Sequence, residues 1–105
     1  MIFITGPLYS GKRTFANALP GTRIAEVQNL AKDADDLEKL ADKLAAYDIV
    51  MATEVGGGVV PVDAGERAAR EAAGRLACLL ASRAQCVVQM FCGIPTILKG
   101  ELPPC

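Results

Sequence analysis

The chain has 105 residues, 51% of them hydrophobic and 22% charged, with a formal net charge of -1. That length suits a single domain, residues 1–105, with one core, and the hydrophobic share excludes a disordered chain. The near-neutral balance gives no electrostatic case for nucleic acid or an anionic membrane surface as partner. No apolar run approaches the roughly 20 residues that cross a bilayer, and the first six residues lack the basic segment of a secretion signal. The four cysteines (Cys78, Cys86, Cys92, Cys105) form no CxxC pair, and there is no histidine to complete a Cys/His zinc site. Because Cys78, Cys86 and Cys92 lie in apolar stretches, the expectation is reduced, buried thiols in a cytoplasmic protein.

In chain order, residues 1–5 are a short apolar, β-branched run ending at Gly6 and predict a buried strand. Residues 12–19 place Phe15, Ala16 and Leu19 on one side of a helix that Pro20-Gly21 stops. Residues 22–27 are a weaker strand. Across residues 33–47, Leu37, Leu40, Leu44 and Tyr47 recur at helical spacing with charges between them, an amphipathic helix for which Asp33 or Asp35 is the expected N-cap. Residues 48–55 read as another buried strand, broken by Gly56-Gly57-Gly58. After Val59-Val60-Pro61, Asp63 is the expected cap of a long Ala- and Arg-rich helix reaching about residue 82, with Leu76, Leu79 and Leu80 on its apolar face. Residues 85–91 are the last strand expected, and residues 102–105 a frayed end.

Strands alternating with helices, the strands nearly continuous in apolar residues, predict a three-layer α/β fold. Its sheet is expected to be small and mainly parallel, with about four strands and three helices. The acidic residues from Asp33 to Asp42 read as a solvated helix face. Arg67, Arg70 and Arg75 read as partners of Glu66 and Glu71 in weak surface pairs. Gly65 and Gly74 lower the propensity of the long helix and point to close packing there. The free edges of so small a sheet favour a homo-oligomer.

The most informative stretch is Gly6-Pro7-Leu8-Tyr9-Ser10-Gly11-Lys12, which fits GxxxxGK between a predicted strand and a predicted helix. Gly6 and Gly11 let the backbone turn tightly, so that successive N–H groups face phosphate oxygens. The helix opened by Lys12 directs its positive end at the same anion, and the Lys12 ammonium neutralises the outer phosphates. The pattern therefore predicts a nucleoside triphosphate, ATP or GTP, on residues 6–14 and predicts a P-loop domain. The residue that normally follows the lysine is Ser or Thr, whose hydroxyl holds Mg²⁺; here it is Arg13. Thr14, one residue later, projects about 100° further round the helix and is the hydroxyl left for the metal.

A second stretch, residues 48–61, puts Thr53 and Glu54 at the end of a strand and before a glycine-rich loop, the place where open α/β sheets bind ligands. Glu54 either orients a magnesium-bound water, or acts as base toward an acceptor hydroxyl, or caps the loop, or pairs with a nearby Arg.

Together the two stretches resemble the adenosylcobinamide kinase/adenosylcobinamide-phosphate guanylyltransferase family. The likeness lies in Met1-Ile2-Phe3-Ile4-Thr5-Gly6 with its phosphate loop, in Glu54-Val55-Gly56-Gly57-Gly58-Val59-Val60-Pro61, and in the Arg-rich helix leading to a final strand and Gly93. The resemblance implies cobalamin biosynthesis and ATP- or GTP-dependent phosphorylation of a corrinoid alcohol, followed by guanylyl transfer through a histidine. It gives Gly6, Gly11 and Lys12 the phosphate-binding role and Glu54 an active-site role. Tyr9 would either stack on a base or corrin edge or cover the loop. The chain has no histidine, so guanylyl transfer is expected to be lost. In the family, the region after the first helix supplies an acidic magnesium ligand. Here Glu26 is the one candidate in residues 22–28, its other reading being an exposed strand residue. The readings left open are a kinase-like phosphotransferase, a non-catalytic nucleotide-binding or assembly subunit, and a remnant that binds no nucleotide.

Overall fold

A computed structural model describes residues 1–7, 11–31, 33–53 and 64–101. The elements run β1 (Ile2–Gly6), α1 (Lys12–Asn17), β2 (Arg23–Ile24), α2 (Gln28–Ala31), α3 (Leu37–Leu44), β3 (Ile49–Thr53), α4 (Ala64–Arg83), β4 (Cys86–Phe91) and β5 (Ile94–Lys99). They form one five-stranded sheet in the order β2-β3-β1-β4-β5, parallel except for β5, which pairs antiparallel with β4. The sheet is therefore mainly parallel as expected, with five strands rather than about four.

Alternation along the strands sorts the core into two faces. Ile2 and Ile4, Ile49 and Met51, and Cys86, Val88 and Met90 pack with Ala16 and Leu19, at and just after α1. Phe3, Val50, Ala52 and Val87 face the other way, against Ala31 of α2, Ala41 and Leu44 of α3, and Leu76 and Leu80 of α4. Helices thus cover the sheet on both sides, giving three layers. Each fully buried Ile, Leu or Phe among these contributes about 1.5–3 kcal/mol, and the central strands are apolar on both faces because both are covered. No helix among the described residues is long and apolar enough to cross a membrane.

Several sequence expectations are corrected. The helix expected over residues 33–47 is the shorter α3, Leu37–Leu44, capped by Asp36 rather than Asp33 or Asp35, and the short α2 that precedes it is not expected from the sequence. The Asp36 carboxylate accepts from the backbone N–H groups of Glu38 and Lys39, which otherwise have no partner in the first turn. Only Arg23 and Ile24 of residues 22–27 form a strand, lying on β3 at the edge of the sheet. The missed strand β5 is joined to β4 by Cys92 (φ 50) and Gly93 (φ 77), two left-handed residues that make a type I′ hairpin turn. Pro95 lies within β5, which an edge strand tolerates. Lys99 ties this strand to the end of α4 by donating to the Ala81 and Ser82 carbonyls. Of the cysteines, Cys86 is buried, and burial raises its thiol pKa, whereas Cys78 and Cys92 are exposed. The Asp63 cap and residues 102–105 lie outside the described residues.

Two glycines give opposite predictions. Gly74 lies in the middle of α4, is exposed, and a Cβ there would meet nothing within 4 Å of the chain itself, so it is not packed closely against the sheet. Gly74→Ala should stabilise the protein by about 0.5–1 kcal/mol through helix propensity. Gly11, at φ 91, would bring a Cβ to 3.1 Å from the Cα of Gly93 in the hairpin turn. Gly11→Ala should destabilise by about 1–2 kcal/mol, from left-handed strain and displacement of that turn. Urea midpoints of the two variants against the parent check both signs.

Candidate functional site

The sheet order decides where a ligand can approach. β1 and β3 are neighbours, with Gly6 opposite Thr53 at their carboxyl ends. The helix after β1 lies on one face of the sheet and the helix after β3 on the other. The crevice outside the carboxyl ends of two such strands is where open α/β sheets hold ligands. Gly6, Thr53 and the start of α1 line it here.

On the β1 side, Gly11 is the N-cap of α1 in left-handed conformation, and Lys12 is the first helical residue. Lys12 is only 7% exposed. Its Nζ donates to the carbonyl of Gly6 at 3.1 Å and of Pro7 at 2.7 Å, so the ammonium is folded back over the mouth of its own loop. A buried cation needs such partners. The two carbonyls carry only partial charge, so an arriving phosphate oxygen offers Lys12 a stronger partner. Arg13 and Thr14 are exposed on α1. Leu8, Tyr9 and Ser10 lie outside the described residues, as does Glu54.

On the β3 side, Glu26 follows β2 in left-handed conformation (φ 58), rare for a residue other than Gly, Asn or Asp. Val27, fully buried, is anchored by its N–H to the Met51 carbonyl at 3.3 Å. Glu26 and Gln28, one on each side of this anchor, both reach Thr53. The Thr53 hydroxyl lies 3.0 and 3.1 Å from the two carboxylate oxygens of Glu26 and donates to them. The Thr53 N–H donates to Gln28 Oε1 at 3.0 Å, and Gln28 Nε2 donates to Glu26 Oε2 at 2.6 Å. Because the Thr53 N–H can only donate, the Gln28 oxygen must face it, and the amide NH₂ is left for the carboxylate.

Glu26 is consequently held ionised. The hydrogen bond from Gln28 is the largest influence lowering its pKa, partial burial works against it, and the Thr53 hydroxyl and the charges of Lys12 and Arg13 lower it further. Glu26 is thus half-buried and hydrogen-bonded within the field of Lys12, rather than an exposed strand residue. Sequence reasoning misses Gln28. An acid and an amide flanking a buried Val just after a strand are the signal that marks it.

No three metal-ligating side chains converge among the described residues. One carboxylate facing a phosphate loop nevertheless fits Mg²⁺, which takes one or two carboxylates and fills its remaining positions with phosphate oxygens and water. Beside this network a cleft of about 250 Å³ opens between the sheet and α4, lined by Thr5, Gln28 and Thr53 and by Ala73, Gly74 and Ala77. A larger groove of about 1120 Å³ between the start of α3 and α4 shares Gly74 with it. That groove is the less relevant of the two, since no residue from β1, α1, β2 or β3 lines it.

No curated protein matches the chain. The family model described as cobinamide kinase / cobinamide phosphate guanyltransferase matches residues 22–98, well over half of the chain. The matched segment contains Glu26, Gln28, Thr53 and Gly93 and starts after the phosphate loop. By its sequence from Thr22 to Leu98, the chain belongs to the cobinamide kinase / cobinamide phosphate guanyltransferase family.

Proposed function

We propose that residues 1–105 act as one P-loop nucleotide-binding unit in cobalamin biosynthesis, a kinase-like protein that phosphorylates a cobinamide-type corrinoid alcohol at the expense of ATP or GTP. The observation that carries this reading is the seat of Lys12, a nearly buried ammonium resting on two carbonyls of a GxxxxGK loop, with the ionised Glu26 close by. Family membership supports the substrate class.

In the proposed reaction, the acceptor hydroxyl oxygen bonds to the γ-phosphorus as its proton passes to the Glu54 carboxylate, the bond to the β,γ-bridging oxygen breaks, and the nucleoside diphosphate leaves with that oxygen. Lys12 and the loop amides hold the outer phosphates and neutralise charge that builds on them. Glu26, with phosphate oxygens, would hold Mg²⁺, which supplies Lewis-acid polarisation when bound. Glu54 is assigned to the acceptor hydroxyl and Thr14 to a secondary role at the metal. The chain has no histidine to carry a guanylyl group, so the second family reaction is absent from this proposal. Ile94, Ile97 and Leu98, exposed along the edge strand β5, support association of like chains.

A second reading, a non-catalytic nucleotide-binding subunit, is favoured by one observation, Arg13 at the position of the metal-binding hydroxyl. Calorimetric titration with ATP and GTP, with and without Mg²⁺, separates the two when combined with an assay for a phosphorylated corrinoid. Lys12→Ala should weaken nucleotide binding about 10- to 100-fold, the loss of a charge-assisted contact. Phosphoryl transfer by the parent chain supports the kinase, and tight binding without transfer supports the subunit. Unchanged binding by Lys12→Ala removes the phosphate-site reading altogether.

A further inference from the structure

We infer that Gln28 is a positioning residue for the candidate metal carboxylate: its side-chain amide joins the backbone of Thr53 to Glu26 and so fixes where Glu26 points in the crevice beside the phosphate loop. The inference rests on the proposed nucleotide site and adds a role to a residue for which the family and the motif give none.

Three observations converge on it. Gln28 is the only residue among the described ones shown bonding both to the end of β3 and to Glu26, through opposite ends of one amide, at 3.0 and 2.6 Å. Glu26 stands at a left-handed backbone position, which is strained for a residue with a Cβ, and is held there by the buried Val27 on one side and by these side-chain bonds on the other. Gln28 also lines the cleft that opens beside Thr5 and Thr53, so its amide sits at the boundary between the carboxylate and the space where an acceptor would lie.

Without the Gln28 amide, Glu26 keeps the Thr53 hydroxyl, a rotor that defines direction poorly. The carboxylate is then free to rotate, and the Thr53 N–H at the end of β3 loses its acceptor. Outer partners of this kind change metal affinity about 10- to 100-fold when removed, because they set the ligand's orientation without touching the ion.

The test is calorimetric titration of the full chain with ATP, once with a chelator and once with Mg²⁺, reading the ratio of the two affinities. In Gln28→Ala this ratio should fall about tenfold or more, while the metal-free affinity stays within about twofold. Glu26→Gln should abolish the ratio, and adding Gln28→Ala to it should change the ratio no further, because the amide acts only through the carboxylate. A merely structural Gln28 would weaken metal-free binding as well and would add to Glu26→Gln. Gln28→Asn, whose amide is one methylene short of spanning both partners, gives the same test where the alanine variant does not fold. An unchanged ratio in these variants, additive losses in the double variant, or a parent chain indifferent to Mg²⁺ overturns the role of Gln28 and leaves the phosphate site standing. Nucleotide binding indifferent to Lys12→Ala overturns both.

Discussion

The site depends on the pairing of β1 with β3, and on the helix that each strand leads into. The two are parallel neighbours whose last partners are Gly6 and Thr53, yet their helices pack on opposite faces of the sheet. Between two parallel strands with helices on the same face, backbone would cover the carboxyl edge. Here the helices part, and the edge between Gly6 and Thr53 is open. The ammonium of Lys12, the carboxylate of Glu26 and the hydroxyl of Thr53 gather at this edge. The apolar strands supply rigidity rather than chemistry. With Ile4, Ile49, Val50 and Val88 fully buried, neither strand shifts register without moving its whole core face.

The electrostatics of the edge combine a buried ammonium with a carboxylate held in its field. Burying an ammonium is costly unless its donors are met, and Lys12 meets two of them with carbonyls of the loop it belongs to. Such partners are good enough to keep the cation folded inward and weaker than a phosphate oxygen. Glu26 is drawn toward its ionised form by Gln28, by Thr53, and by the charges of Lys12 and Arg13. A carboxylate committed to hydrogen bonds along β3 keeps a defined position at the edge. Separate positive and negative groups around one opening suit a ligand that brings both signs, as a metal-bound triphosphate does.

The residues make some of this legible and hide the rest. The β1 strand, the start of α1 at Lys12 and the long helix α4 can be read directly, because apolar runs, a helix start after a glycine and Ala-rich helical spacing are local signals. The hairpin strand β5 is hidden by Pro95 and by a turn of Cys92-Gly93, which lacks the Asn-Gly or Asp-Gly pair that announces a primed turn. The start of α3 is blurred because Asp33, Asp35 and Asp36 are all chemically fit to cap a helix, and only the chain path shows that Asp36 meets the free amides. The Glu26–Gln28–Thr53 network is invisible for a different reason. It needs a left-handed Glu26, and sequence patterns built on glycine do not flag that conformation in a glutamate.

Gly6 and Gly11, the two glycines of the GxxxxGK segment, have neighbours distant in sequence. On one side, Glu26 and Gln28 fasten the end of β2 to the end of β3, beside Gly6. On the other, the β4–β5 turn brings Gly93 so close to Gly11 that a side chain at the latter would collide with it. Both sets of neighbours lie within the segment that carries the family match, residues 22–98, whereas the loop itself precedes that segment. Gly6, Gly11 and Lys12 stand out by their sequence pattern, and the residues packed around them lie in the family match. Two independent lines therefore meet at one edge of the sheet. The β4–β5 turn set against the left-handed Gly11, and the left-handed Glu26 held in the field of Lys12, both converge on that edge from positions far away in sequence.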